Sequence, residues 1–323
     1  MAILAGIDEA GLGPLLGPLV VTCAAFRVPD DRLDDCLWQT LRASCASKSS
    51  RTERRLAVAD SKVLYRSRGA RSGLGALERT SLVMLAAHGK RPKTWRAWLD
   101  AVAPGATDEL ENYAWYAGRD IPLPVDPASG DVGTQANALV SDLNDHGIVL
   151  HGLHCVPLAE GEFNRLIKAT DNKSVVSLGL VIRIIDRLIR SAPHERLRIC
   201  ADRLGGRTHY RSALMTAFPD HQVTVYEESE DRSAYRLVDR ETICDIEFVT
   251  RGDQRHFAVA LASIVSKYTR ELYMHVFNEY WTGQVAGVRP TAGYYTDAKR
   301  WLGEMEEELD RRCVDRRLLV RSR

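Results

Sequence analysis

Gly6-Ile7-Asp8-Glu9-Ala10-Gly11-Leu12-Gly13-Pro14-Leu15-Leu16-Gly17-Pro18-Leu19-Val20-Val21 is the stretch on which the reading of the fold turns. The apolar run 3–7 predicts a short buried strand that ends on two adjacent carboxylates, Asp8 and Glu9. Glycines and prolines crowd residues 11–18 and break regular structure. Residues 19–26, rich in Val, Thr and Ala, then predict a second buried strand. Two strands joined by so tight a segment predict an antiparallel pair at the start of a sheet. A nucleotide loop does not fit. The spacing is not GxGxxG, Pro14 stands where a helix would have to begin, a strand follows, and no Lys-Ser/Thr closes the segment. No nucleotide cofactor is expected.

Outward from this stretch the pattern is mixed. Residues 42–98 read mostly as helix, with Leu74, Leu77, Leu82 and Leu85 near helical spacing. Over 93–146 the periodicity dissolves while Trp95, Trp98, Tyr113, Trp115 and Tyr116 accumulate, which predicts an insertion or lid. Residues 148–155 predict a strand, 174–191 a long amphipathic helix, and 196–201 a strand ending on Asp202 before Gly205-Gly206. A short helix over 207–218, a strand over 222–226, an irregular hairpin over 227–243 and a strand around Cys244, Ile246 and Phe248 follow. Residues 257–280 form a strong helix pattern, and Thr296-Asp297 suit the N-cap of a last helix. Leading strands and later alternation with helices predict a mixed α/β sheet.

Composition narrows the class. The 323 residues are 45% hydrophobic and 27% charged, which fits a folded chain of one elaborated domain, or one domain with a satellite. No apolar run approaches membrane-spanning length, so no membrane partner is expected. The N-terminus reaches Asp8 without a basic leader, and seven scattered cysteines form no CxxC; both predict a cytoplasmic protein with reduced thiols. The net charge of +1 conceals a basic block. Between Arg42 and Trp98 there are 14 Lys/Arg against Glu53, Asp60 and Glu78, a local charge of +11. That block, with Arg51, Arg54, Arg55, Arg66, Arg68 and Arg71, suggests phosphate contacts; an arginine-rich solvated surface explains it equally well.

The chemistry-bearing residues are acidic. Asp8-Glu9 and Asp202 fall at strand ends, and in open α/β sheets such ends gather at one edge where ligands bind. Carboxylates gathered there repel one another unless protonated or bridged by a cation, and oxygen-only ligands suit Mg²⁺ or Mn²⁺. Taken singly, an Asp at a strand end is better explained as a turn or cap. On the helix over 257–280, Ser263, Lys267 and Glu271 recur every four residues as a polar stripe opposite Leu261, Ile264, Val265 and Tyr268. Such a stripe can offer Glu271 to a metal and Lys267 to a phosphate, although a surface ion pair is the more ordinary outcome. No GxSxG elbow is present.

Four segments, in order, resemble the type 2 ribonuclease H family, which includes ribonucleases HII and HIII. They are residues 6–21, Asp60-Ser61-Lys62, residues 262–271 (Ala-Ser-Ile-Val-Ser-Lys-Tyr-Thr-Arg-Glu), and Gly293-Tyr294 with Thr296. The resemblance covers about 1–92 and 147–303. It implies a ribonuclease-H-like mixed sheet flanked by helices, with a catalytic domain over 1–290 and a C-terminal helical, substrate-contacting extension over 291–323. It implies that Asp8, Glu9, Asp202 and Glu271 hold one or two Mg²⁺ or Mn²⁺ ions. It further implies that Gly11, Leu12, Gly13, Lys62, Ser263, Lys267 and Tyr294 contact substrate, an RNA–DNA hybrid or a ribonucleotide-containing duplex. The implied activity is hydrolysis of the RNA strand to 5′-phosphate and 3′-hydroxyl ends by a monomeric enzyme. Alternatives of other classes are a hybrid- or structure-binding protein without efficient cleavage and a related-fold DNA nuclease. Leu12 stands where the family carries Arg or Lys, and Glu271 where ribonuclease HII carries Asp.

Overall fold

The computed structural model describes residues 1–48, 55–66 and 73–322. Strand β1 (Ala2–Ala10) pairs antiparallel with β2 (Leu19–Val28), Ala10 lying opposite Val20 and Ala2 opposite Val28. Two short segments, β3 (Cys45–Ala46) and β4 (Leu56–Ala57), pair apart from the main sheet. The main sheet is completed by β5 (Val149–Leu158), β6 (Arg196–Asp202), β7 (Gln222–Glu228), β8 (Arg232–Val238) and β9 (Ile243–Val249). Its order is β5-β2-β1-β6-β9-β8-β7, with β1, β6 and β9 parallel and the remaining pairs antiparallel. This is the mixed sheet that the sequence predicts.

Helices cover both faces. Between β2 and β5 come α1 (Leu37–Thr40), α2 (Ser61–Arg66), α3 (Leu74–Ala87), α4 (Trp95–Val102), α5 (Ala106–Leu110) and α6 (Val132–Asp145). Helices α7 (Glu160–Thr170) and α8 (Lys173–Ser191) precede β6, and α9 (Arg211–Ala217) precedes β7. After β9 follow α10 (Gly252–Arg255), α11 (Phe257–Gln284), α12 (Tyr295–Arg311) and α13 (Arg316–Leu319). The strand period of two sorts the core: Ala2, Val20, Ala24 and Phe26 face α11, while Ile3, Ala5, Ile7 and Val21 face α8. At Gly6 the strand and α11 touch backbone to backbone, because an added Cβ would lie 2.1 Å from Ala258 and Val259. That contact fixes the start of α11 two residues before Asp8.

Where periodicity dissolved, the structure has short helices held by tertiary packing. Trp95, Trp98, Tyr113, Trp115 and Tyr116 are buried in one apolar cluster with Tyr268, Tyr273, Phe277 and Trp281 of α11. Trp98 donates its indole N–H to Thr269 Oγ1 at 3.1 Å. Glu78 of α3 is fully buried and accepts from the Val125 and Asp126 amides (2.8 Å each), the Ser129 hydroxyl (2.6 Å) and the Tyr268 hydroxyl (2.9 Å). Residues 93–146 are thus pinned to the core by aromatic rings and one saturated carboxylate.

Three expectations are corrected. The irregular hairpin over 227–243 contains a regular strand, β8, paired along its whole length with β9. The last helix begins at Tyr295, and Asp297 sits inside its first turn, reaching back to accept from Ala292 N (2.7 Å) and Thr291 Oγ1 (2.8 Å). Residues 42–98 are less helical than predicted, carrying β3 and β4 between α1 and α2. Of the basic block, Arg51, Arg54, Arg68, Arg71 and the Arg66 side chain lie outside the described residues, while Arg55 donates to the Arg42 carbonyl. Among the described residues no helix is long and apolar enough to cross a membrane.

Candidate active site

Successive side chains of a strand point to opposite faces, so Asp8 and Glu9 leave β1 on different sides of the sheet. Asp8 faces α11, where the Ser263 hydroxyl hydrogen-bonds its carboxylate and Ser266 Oγ donates to its carbonyl at 3.0 Å. Glu9 faces α8 and accepts from the Ser177 hydroxyl. Asp202 ends β6, which runs parallel to β1 with Ile7 opposite Ala201, so both strands deliver a carboxylate to the same edge. Asp202 Oδ1 accepts from the Gly252 amide at 2.8 Å. Arg251, in the left-handed region at φ 54°, turns the chain out of β9 to make that bond, and Asp253 follows directly.

Electrostatics bind these groups into one set. Burial, then repulsion from Asp202, holds the Asp8 carboxyl well above the usual carboxylate range. Burial likewise raises Asp202, against the pull of the Gly252 amide and the Lys62 ammonium. Asp253 is pushed up to about 6 by burial and by Asp60 and Asp202, with Lys62 opposing. Burial raises Glu9 against its Ser177 hydrogen bond. Asp60 caps the turn into α2, accepting from the Lys62 amide at 2.8 Å, and so places Lys62 beside the acidic edge. Ser61 and Ser263 share a hydrogen bond of 2.9 Å.

The donor set suits a hard divalent cation. All the converging donors are oxygens, their charges oppose one another in a half-dry setting, and a cavity of about 10 Å³ opens between Asp8, Glu9, Asp202 and Arg203. Among the described residues, no three acidic, histidine or cysteine side chains are drawn together tightly enough to grip an ion as they stand.

Glu271 belongs elsewhere. Two turns of α11, about 12 Å of rise, separate it from Ser263. Its carboxylate accepts from Lys267 Nζ (2.5 Å), the Tyr65 hydroxyl (3.1 Å) and Arg270 (3.5 Å). Lys267 lies 4.6 Å from the centre of the Tyr65 ring and 5.6 Å from that of Tyr294, and Arg270 lies 5.3 Å from the latter. Glu271, Lys267 and Tyr294 therefore form a second cluster, closed by Tyr65 and Arg270, in which Glu271 is a counter-ion.

The glycine loop links the two clusters. At φ +92°, Gly11 adopts a conformation that favours glycine, and a Cβ there would press within 2.7 Å of Arg270. Arg270 donates to the carbonyls of Leu16 (3.0 Å) and Ala292 (3.1 Å), and the amides of Leu15 and Leu16 donate to Gly293 O. Gly17 N donates to the buried Glu160 at 2.8 Å. Leu12 is half-buried against the α8-side core.

Asp253 and Tyr65 escaped the sequence reading. Asp253 lies four residues beyond the end of β9 and behind a glycine, so the criterion that singled out Asp8 and Asp202, a carboxylate at a strand end with glycines after it, passes over it. Nothing local marks Tyr65, which matters only through a helix two hundred residues away.

No family model and no curated protein matches the chain. Among solved structures it is similar to ribonuclease H2 from Pyrococcus horikoshii OT3 (16% identity, 98% of this chain and 92% of that one, TM-score 0.43). It is also similar to ribonuclease HII in its complex with PCNA from Archaeoglobus fulgidus (14%, 99% and 94%, TM-score 0.41). A third is Bst-RNase HIII in complex with Mn²⁺ (16%, 99% and 66%, TM-score 0.45). At such identities and scores the functional reading rests on this chain's own residues.

Proposed function

We propose that the protein is a divalent-cation-dependent endoribonuclease that hydrolyses the RNA strand of RNA–DNA hybrids. What carries this reading is that Asp202 lies within electrostatic reach of both Asp8 and Asp253, at the edge where β1 and β6 end beside a glycine loop, in a chain whose motifs follow the type 2 ribonuclease H order. Asp8, Asp202 and Asp253 would hold Mg²⁺ or Mn²⁺, with Glu9 adding charge from the opposite face. A cation held by these residues would supply neutralisation of the charge that develops on an attacked phosphodiester.

The chain's own residues position the nucleic acid. Ser263 keeps Asp8 oriented, and the Gly252 amide keeps Asp202 oriented. Lys62 offsets the acidic edge and stands ready for a phosphate. The small residues Gly11 and Gly13 let the backbone approach a ribose closely. Tyr294, about half exposed above two cations, offers a ring face to a sugar. Glu271 holds Lys267 rather than an ion. The expected partner is an RNA–DNA hybrid bound by a monomer.

The test is a cleavage panel in Mg²⁺ and in Mn²⁺ with a hybrid, a duplex containing one ribonucleotide, double-stranded RNA and branched DNA. Cutting of the hybrid to 5′-phosphate and 3′-hydroxyl ends is the expected result. Hybrid binding without cutting, or cutting of DNA alone, would overturn the reading.

A further inference from the structure

Arg321, in the tail after α13, is 1% exposed and crosses the whole chain to reach the glycine loop. Its guanidinium donates to the carbonyls of Gly11 and, at 3.0 Å, Leu12, with Gly17 O at 3.5 Å. Its own amide donates to Leu15 O at 2.9 Å. The tail is fastened beside it: Asn164 of α7 donates to the carbonyls of Arg317 and Val320 (2.7 Å each) and accepts from Ser322 N at 2.6 Å. The guanidinium also lies 4.0 Å from the centre of the Phe163 ring. Burial pulls Arg321 down to about 10, which leaves it cationic at neutral pH.

The consequence follows from peptide geometry. In a trans peptide the C=O of one residue and the N–H of the next point in opposite directions. With the carbonyls of Gly11 and Leu12 turned inward onto Arg321, the amides of Leu12 and Gly13 turn outward, and no described residue accepts from either. Two successive outward amides form a concavity that takes an oxyanion. The charge that favours an anion lies behind this nest, whereas the side chain at its rim, Leu12, is packed on the core.

We infer that Arg321 is a positioning residue for the substrate-contacting glycine loop: by holding the Gly11 and Leu12 carbonyls it aims the Leu12 and Gly13 amides, as a nest, at an incoming phosphate and supplies positive charge from beneath. The ligand is a phosphodiester oxygen of the nucleic acid, next to the acidic edge; this part rests on the nuclease reading. The buried arginine thus does for the loop what an exposed cation at position 12 would do.

The test is affinity for a short RNA–DNA hybrid, read by fluorescence anisotropy in EDTA so that cleavage does not intervene. Arg321→Met should weaken binding by about tenfold, the scale of a lost charge-assisted contact, with Arg321→Lys restoring part of it. Arg190→Met, an exposed arginine of α8 paired with Asp186, should change nothing. A walk of single neutral methylphosphonate linkages along the hybrid should find one position that costs wild type a similar factor and costs Arg321→Met little more. Wild-type affinity in a folded Arg321→Met, or additive losses in the walk, would overturn the inference. Should Arg321→Met fail to fold, Arg321→Lys and the wild-type walk decide, and a walk without a sensitive linkage refutes the nest. Failure of the cleavage panel with the anisotropy pattern intact would instead count against the nuclease reading alone.

Discussion

Two carboxylates in this molecule, one fully buried and one half-buried, live under opposite conditions. Glu78 has four donors around it, two amides and two hydroxyls, and every one is aimed at its oxygens. Asp8 has one serine hydroxyl and one amide, and a second aspartate faces it. Glu78 is shut away from water and Asp8 is half-buried, yet the first environment compensates its charge and the second concentrates it. A saturated carboxylate is a fastening, here of residues 93–146 onto α3 and α11. A carboxylate left opposite its like is an arrangement that a bound cation would relieve.

The comparison breaks most visibly if Asp8 is neutralised. Asp8→Asn should lower hybrid cleavage by at least about a thousandfold, the several kcal/mol that a bound cation contributes. The same change should raise the melting temperature in EDTA, because it removes one of two opposed charges; full activity in Asp8→Asn would remove it from the site. Glu78→Ala should act in the reverse sense. It strands four donors, two of them buried, so urea unfolding should show a loss of about 3 kcal/mol, with turnover per folded molecule unchanged. A loss well under 1 kcal/mol would deny Glu78 its role as a fastening.

Glu160 lies between these cases and sharpens the contrast. Its Oε1 accepts from Gly17 N, its Oε2 has no partner among the described residues, and burial pushes its carboxyl up to about 7. A raised carboxyl favours the protonated fold, so its contribution is complete below the unfolded value near 4.5 and is lost as pH climbs through about 7. Unfolding free energy should therefore fall by about 3 kcal/mol from this group across that window, and Glu160→Gln should flatten the fall. An unchanged pH profile in Glu160→Gln would show that another group sets it. The smallest effect belongs to Leu12. Wild type should prefer runs of RNA over a lone ribonucleotide, and Leu12→Arg should narrow the gap by about severalfold through one added phosphate contact. Equal rates in both proteins would end that role for the rim of the loop.

How far these features were legible depends on how local their causes are. The pair β1–β2 could be read because apolar runs and a glycine turn lie within about thirty residues, and Asp202 because it too follows an apolar run. Residues 93–146 could not be read, because a helix as short as α4 draws its stability from rings on α11, joined by Trp115 beyond α5, rather than from its own periodicity. Spacing along α11 placed Ser263, Lys267 and Glu271 on one stripe correctly. It said nothing about which part of the stripe lies beside Asp8: Ser263 does, whereas Glu271 pairs with Lys267 and Tyr65. Arg321 reads as one basic residue of a basic tail until the fold buries it against the glycine loop.

In the proposed site Asp253, not Glu271, completes the cation's ligands with Asp8 and Asp202. Calorimetric titration of Mn²⁺ into wild type, Asp253→Asn and Glu271→Gln measures this directly. Affinity should drop by about tenfold or more in Asp253→Asn, which loses a charged oxygen ligand, and stay at the wild-type value in Glu271→Gln. The reverse pattern, with Glu271→Gln losing the ion and Asp253→Asn keeping it, would contradict the account.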